Sequence, residues 1–177
     1  MQTLRLIATE KKIRLLERLL YSSEPARVRS SAKELGMNPG YVSTLMKKMS
    51  KERLLENGRA SADPRIQALR LIFNIDRLVA AWARIRRLGV KGFGVFGSWA
   101  KGANTEASDL DVWVKVDKEP GAESTSEIRG LIKQATGAGE VSLITLTENR
   151  IAEMRRVDPP FYSTLLNSFH IGGEKID

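Results

Sequence analysis

The chain has 177 residues, no cysteine, a single histidine and a formal net charge of +8. The missing cysteines exclude a disulfide framework and a zinc–thiolate site. No apolar run approaches the roughly 18 residues of a membrane-spanning helix, and no apolar signal core follows Met1, so a cytoplasmic chain of one large or two small domains without a membrane partner is expected.

The charge is unevenly spread. Residues 1–88 carry 19 Lys/Arg against 8 Asp/Glu, while residues 89–177 carry 10 against 13. A basic half facing an acidic half implies two different tasks. Phosphate contacts dominate nucleic-acid affinity, so the basic half points to a polyanion such as DNA.

Taken in chain order, residues 4–20 place Leu4, Ile7, Ala8, Ile13, Leu16, Leu19 and Leu20 at helical spacing. Ser22-Ser23-Glu24-Pro25 breaks that pattern. Ser30 or Ser31 is expected to cap a short helix running to Leu35 and stopping at Gly36. Asn38 then caps, and Pro39 starts, a second helix to about Lys51. Two helices joined by a glycine-containing turn make a helix-turn-helix arrangement.

Over about residues 3–62 this pattern resembles the winged helix-turn-helix domains of small prokaryotic regulators, and residues 1–62 are assigned to such a domain. The resemblance implies that Val42, Leu45, Met46 and Met49 are the buried face of the second helix. Asn38, Gly40, Tyr41, Ser43, Thr44, Lys47 and Lys48 are then the DNA-facing positions. The helix start reaches base edges and the lysines reach phosphates. Leu54-Leu55-Glu56-Asn57-Gly58-Arg59 begins the wing, with Arg59 near its tip. The competing reading is a protein–protein winged helix with a charged outer face.

Asp63-Pro64 reads as an N-cap and first residue of a connecting helix over residues 63–88, continuous or restarting at Asp76. A wing strand over residues 68–75 is the competing assignment. Trp82 is expected in core or dimer packing, and the apolar stripe of this helix makes a homodimer the expected assembly.

Residues 90–96 form an apolar strand, followed by a Gly97-Ser98 turn into a short helix. Asp109 and Asp111 open a second apolar run over residues 110–116. Residues i and i+2 of a strand share a face, so the two carboxylates converge beside the Gly-Ser turn. Convergent carboxylates bind Mg²⁺, and backbone N–H groups at a helix start hold phosphate. The combination describes a metal–nucleotide site.

The string Val95-Phe96-Gly97-Ser98-Trp99-Ala100-Lys101-Gly102, followed by Ser108-Asp109-Leu110-Asp111, resembles the small branch of the DNA polymerase β-like nucleotidyltransferase superfamily. The likeness covers residues 90 to about 146. It implies an α/β (α+β) chain whose residues 89–177 build a small mixed sheet with flanking helices. It further implies transfer of NMP from an NTP to a hydroxyl, with two Mg²⁺ ions held by Asp109 and Asp111. Gly97, Ser98 and Lys101 would bind the nucleotide phosphates, whereas Trp99 packs against the sheet. The family's third carboxylate falls at Ser142, so Glu140, two residues away on the same face, is expected to stand in as a catalytic carboxylate.

The acceptor considered includes a protein, since similar small nucleotidyltransferases act as antitoxins that modify a cognate toxin. The alternative is a DNA-binding transcriptional regulator whose nucleotidyltransferase domain is degenerate, serving as a nucleotide sensor or dimerisation module. A helix over residues 124–136 ending at Gly137, two short helices over residues 147–168 broken at Asp158-Pro159-Pro160, and a last strand at residues 168–171 complete the reading. His170 is assigned a structural place.

Overall fold

Residues 8–176 of the chain are described by a computed structural model. Contacts divide it into two compact units. One runs to Asp76 and includes Gly102–Ala107; the other comprises Arg77–Lys101 and Ser108–Asp177.

The first unit begins with α1 (Glu10–Tyr21), capped by Thr9, whose hydroxyl accepts from the Lys12 N–H at 3.4 Å. Of the expected helix over residues 4–20, the described part starts at Glu10; Leu4 and Ile7 lie outside the described residues. Next come α2 (Val28–Leu35) and α3 (Pro39–Lys51). Neither Ser30 nor Ser31 caps α2: the helix starts from Arg27 with no side-chain cap. The reason is tertiary. Ala26 is buried and its N–H donates to Gly58 O at 2.8 Å, which fixes the entry to α2 before the serines are reached. Gly36 ends α2 in the left-handed region at φ 60°. Asn38 caps α3 by accepting from the Gly40 N–H at 2.7 Å, with Pro39 in the first turn.

A two-stranded antiparallel hairpin follows, β1 (Leu55–Glu56) and β2 (Arg59–Ala60), with Glu56 opposite Arg59. Asn57 and Gly58 supply its turn, both at positive φ, as two-residue hairpin turns require. Helix α4 (Pro64–Ile85) is continuous through Asp76, so residues 68–75 are helical and not a strand. Asp63 Oδ1 accepts from the Arg65 N–H at 2.8 Å at its start. Leu15, Leu19, Leu20, Val42, Leu55 and Phe73 meet in one apolar core, which Leu45 and Met46 cover partly.

The second unit holds a four-stranded sheet of order β5-β4-β3-β6. Its strands are β3 (Gly92–Val95), β4 (Leu110–Lys115), β5 (Val141–Leu146) and β6 (Phe169–Gly173). Strand β3 is antiparallel to β4 and β6, whereas β4 and β5 are parallel. A parallel pair needs a crossover, here α6 (Ala122–Thr136), which stops at Gly137. Between β3 and β4 lies the one-turn helix α5 (Gly97–Ala100). Helices α7 (Glu148–Val157) and α8 (Pro159–Leu166) separate β5 from β6.

The sheet has two covered faces. Phe93, Val95, Leu110, Val112 and Val114 join Leu78, Ile85, Trp99, Ile128 and Ile132 on one side. On the other, Trp113 and Leu146 meet Ile151 of α7 and Leu165 of α8. Gly94, opposite Trp113 on β3, makes room for that indole: a Cβ there would collide with its ring. His170 stacks on Trp113 at 6.1 Å and 22°. Among the described residues, no helix is long and apolar enough to cross a membrane.

Candidate active site

The period of two along β4 sets the site. Leu110, Val112 and Val114 take one face, so Asp111, Trp113 and Lys115 take the other. Trp113 is buried beneath α7 and α8, and Lys115 is tied to Glu148 at 2.7 Å and Glu174 at 3.3 Å. Asp111 stands at the end of β4 where that helical cover stops, and it remains partly open. The Asp109 carboxylate precedes the strand and is exposed.

The Gly-Ser turn is pressed against this end of β4. The Phe96 N–H donates to Asp111 O at 3.0 Å. Gly97 follows at φ 68°, and a Cβ on it would run into Asp111 Oδ2. Glycine is thus needed twice, for its backbone conformation and for the space that the carboxylate fills. Ser98 is half-buried, Trp99 is buried in the core, and the Lys101 N–H donates to Ser98 O at 3.2 Å.

Burial, and then the neighbouring charge of Asp109, hold the Asp111 carboxyl above its ordinary pKa; a hydrogen bond from the Ser142 hydroxyl acts the other way. A carboxylate whose ionisation is made costlier by a second one nearby is relieved by a cation, so the pair has the donor chemistry of a divalent-ion site. Ser142 sits directly beside Asp111 in the β4–β5 register. Glu140 precedes β5 and is exposed. Among the described residues no group of three or more Asp, Glu, His or Cys side chains is placed to hold an ion.

A cleft of about 660 Å³ opens on this site. Phe96, Gly97, Ala100, Lys101 and Asp111 form one side. Ser163, Thr164, Asn167, Ser168 and Phe169 form the other. Its volume falls within the range of small-molecule sites, about 300–1,000 Å³. Phe96 also meets Phe161 of α8 edge-to-face at 6.2 Å. The second wall went unnoticed in the sequence reading. Its signal was the spacing of Ser163, Thr164 and Asn167, one polar stripe on a helix that is otherwise apolar between Phe161 and Leu166.

The positions assigned to DNA lie in the first unit. Asn38, Gly40, Tyr41, Thr44, Lys47, Lys48 and Arg59 are exposed, and Ser43 is half-buried. Asn38 and Gly40 bond to each other as the cap of α3.

No curated protein and no solved structure matches the chain. The family model of a nucleotidyltransferase domain matches residues 75–158. That segment contains Gly97, Ser98, Lys101, Asp109 and Asp111 and ends before the second wall of the cleft begins. The match supports a nucleotidyltransferase domain in this part of the chain, in line with the polymerase β-like superfamily that its motif resembles.

Proposed function

We propose that the chain is an Mg²⁺-dependent nucleotidyltransferase that moves NMP from an NTP to an acceptor hydroxyl. The observation that carries this reading is the meeting of Gly97, Lys101 and Asp111 in one cleft, with the charge of Asp109 acting on Asp111. Asp109 and Asp111 would hold the metal, and Mg²⁺ when bound would activate the hydroxyl and stabilise the pyrophosphate leaving group. Gly97 and Ser98 would position a phosphate through their N–H groups and the serine hydroxyl. Lys101 would offset triphosphate charge. The acceptor oxygen bonds to the α-phosphorus as the bond to the pyrophosphate oxygen breaks, a reaction that rests mostly on positioning and charge neutralisation.

The first unit serves, in this reading, as a winged helix-turn-helix. Helix α3 would enter the major groove, with Lys47 and Lys48 on phosphates and the hairpin carrying Arg59 as the wing. Support comes from the basic balance of residues 1–88, from Tyr41 at 44% exposure, and from the open lysines of the same helix.

One observation favours the second reading, a nucleotide-sensing regulator without transfer. The position beside Asp111 on β5 is Ser142, a neutral hydroxyl at the place where the resemblance implies a third carboxylate. One experiment separates the two. Each NTP, labelled at the α-phosphorus, is incubated with protein, Mg²⁺ and a cell extract containing candidate acceptors. The transferase reading expects label on a macromolecule together with released pyrophosphate, both lost in Asp109→Ala/Asp111→Ala. NTP binding with neither product would leave the sensor reading in its place.

A further inference from the structure

The two walls of the cleft differ in chemistry as well as in origin. The wall inside the matched segment is charged, with Lys101 and Asp111. The wall beyond residue 158 carries no charge: Ser163, Thr164, Asn167 and Ser168 offer hydroxyls and an amide, and Phe169 adds an aromatic face that is 38% exposed. An NTP is divided in the same way, into an anionic triphosphate and a neutral nucleoside with a flat base. We propose that the α8–β6 wall is the nucleoside subsite of this cleft, with the base against Phe169 and its polar edge read by Asn167 and its neighbours. This inference rests on the transferase or sensor reading of Asp109 and Asp111, and it assigns the wall those readings leave unused.

Three features support the assignment. The wall is built and held. Asn167 Nδ2 donates to Ser163 O at 2.8 Å, which fixes the amide plane and leaves Oδ1 as an acceptor. Ser168 Oγ accepts from Trp113 Nε1 at 2.7 Å, so its own hydrogen remains to be donated. The Thr164 hydroxyl donates to Pro160 O at 3.1 Å and keeps its lone pairs as acceptors. Second, Phe169 opens β6 beside Val95, is among the residues lining the cleft and is 38% exposed. A half-open ring suits a base, because stacking on an aromatic face tolerates every base. Third, neutral hydrogen-bonding groups match a nucleoside better than a polyphosphate, which the charged wall already suits.

Calorimetry compares ATP, GTP, CTP and UTP with inorganic tripolyphosphate, all with Mg²⁺, on wild type, Phe169→Ala, Asn167→Ala and Asp109→Ala/Asp111→Ala. Both wall positions are exposed, and melting curves check that the variants remain folded. The wall assignment expects at least one NTP to bind wild type more tightly than tripolyphosphate does. Phe169→Ala should weaken that NTP about 5- to 100-fold and leave tripolyphosphate unchanged. Phe169→Trp should restore the affinity, with tryptophan emission quenched by the NTP and not by tripolyphosphate. NTP and tripolyphosphate binding equally, or NTP affinity unmoved by both wall variants, would overturn the assignment and give the wall to the acceptor. In that case metal-dependent tripolyphosphate binding lost in the double aspartate variant would still support the charged site. Absence of any polyphosphate binding would overturn both.

Discussion

Strand β4 and helix α3 both carry proposed functional side chains, but the fold treats them differently. On β4, Asp111 alternates with fully buried neighbours and is locked between β3 and β5. On α3, Lys47 and Lys48 are exposed, while Val42 and Met49 of the same helix are buried. The site on β4 is therefore written into the packing, whereas the face of α3 is free to vary without disturbing the fold. Position in the first case and charge in the second carry the proposed chemistry.

The largest effect expected from this contrast is at Trp113. It shares a face with Asp111, is 1% exposed and donates to Ser168. Trp113→Ala should cost about 3–5 kcal/mol of stability, the usual range for a large aromatic lost from a core. Denaturant unfolding would check this. A loss under about 1 kcal/mol would mean that the layer beneath α7 and α8 is not the packed support described here.

A pair of glycine variants sharpens the comparison. Gly36 and Gly97 both have left-handed backbones, at φ 60° and 68°. Alanine should strain each by about 1–2 kcal/mol. Around Gly36 there is open space, while at Gly97 the new Cβ meets the Asp111 carboxylate. Gly97→Ala should thus weaken Mg²⁺-dependent nucleotide binding at least about tenfold, the scale on which displaced metal-site groups act. Gly36→Ala should leave nucleotide affinity alone, and equal losses in the two variants would undo the distinction.

On the other region, Lys47→Ala/Lys48→Ala should leave the melting temperature unchanged and flatten the salt dependence of duplex DNA binding. Each lysine on a phosphate contributes about 0.9 to the slope of log K against log salt. An unchanged slope would remove α3 from the DNA interface and favour its protein–protein alternative.

The smallest effect is at the start of α4. The Arg65 side chain and N–H hold the Asp63 carboxyl down at about 2 from an ordinary 3.8. A depressed pKa gives stability that is complete above 3.8 and is lost as pH falls toward 2. Asp63→Asn should flatten that part of the pH–melting curve and leave nucleotide binding unchanged. An identical curve in the variant would show that the Arg65 pairing adds nothing to folding.

What could be read from sequence follows how local each determinant is. The Asn38 cap, the Gly36 stop and the alternation of β4 from Leu110 to Lys115 are fixed within a few residues, and all were legible. The start of α2 was not, because a contact between Ala26 and Gly58 overrides the local preference of Ser30 and Ser31 to cap. The second wall of the cleft was hidden for the same reason. Ser163 and Asn167 face Gly97 only after α6, α7 and α8 have returned the chain to the sheet, and no short-range pattern encodes that return.

The central claim is that Asp109 and Asp111 form a metal–nucleotide site. Mn²⁺ binding followed by electron paramagnetic resonance, with and without each NTP, tests it most directly. The account predicts bound Mn²⁺ that increases with nucleotide in the wild type and disappears in Asp109→Ala/Asp111→Ala. The same bound Mn²⁺ in both proteins, or none in the wild type with any NTP, would contradict it.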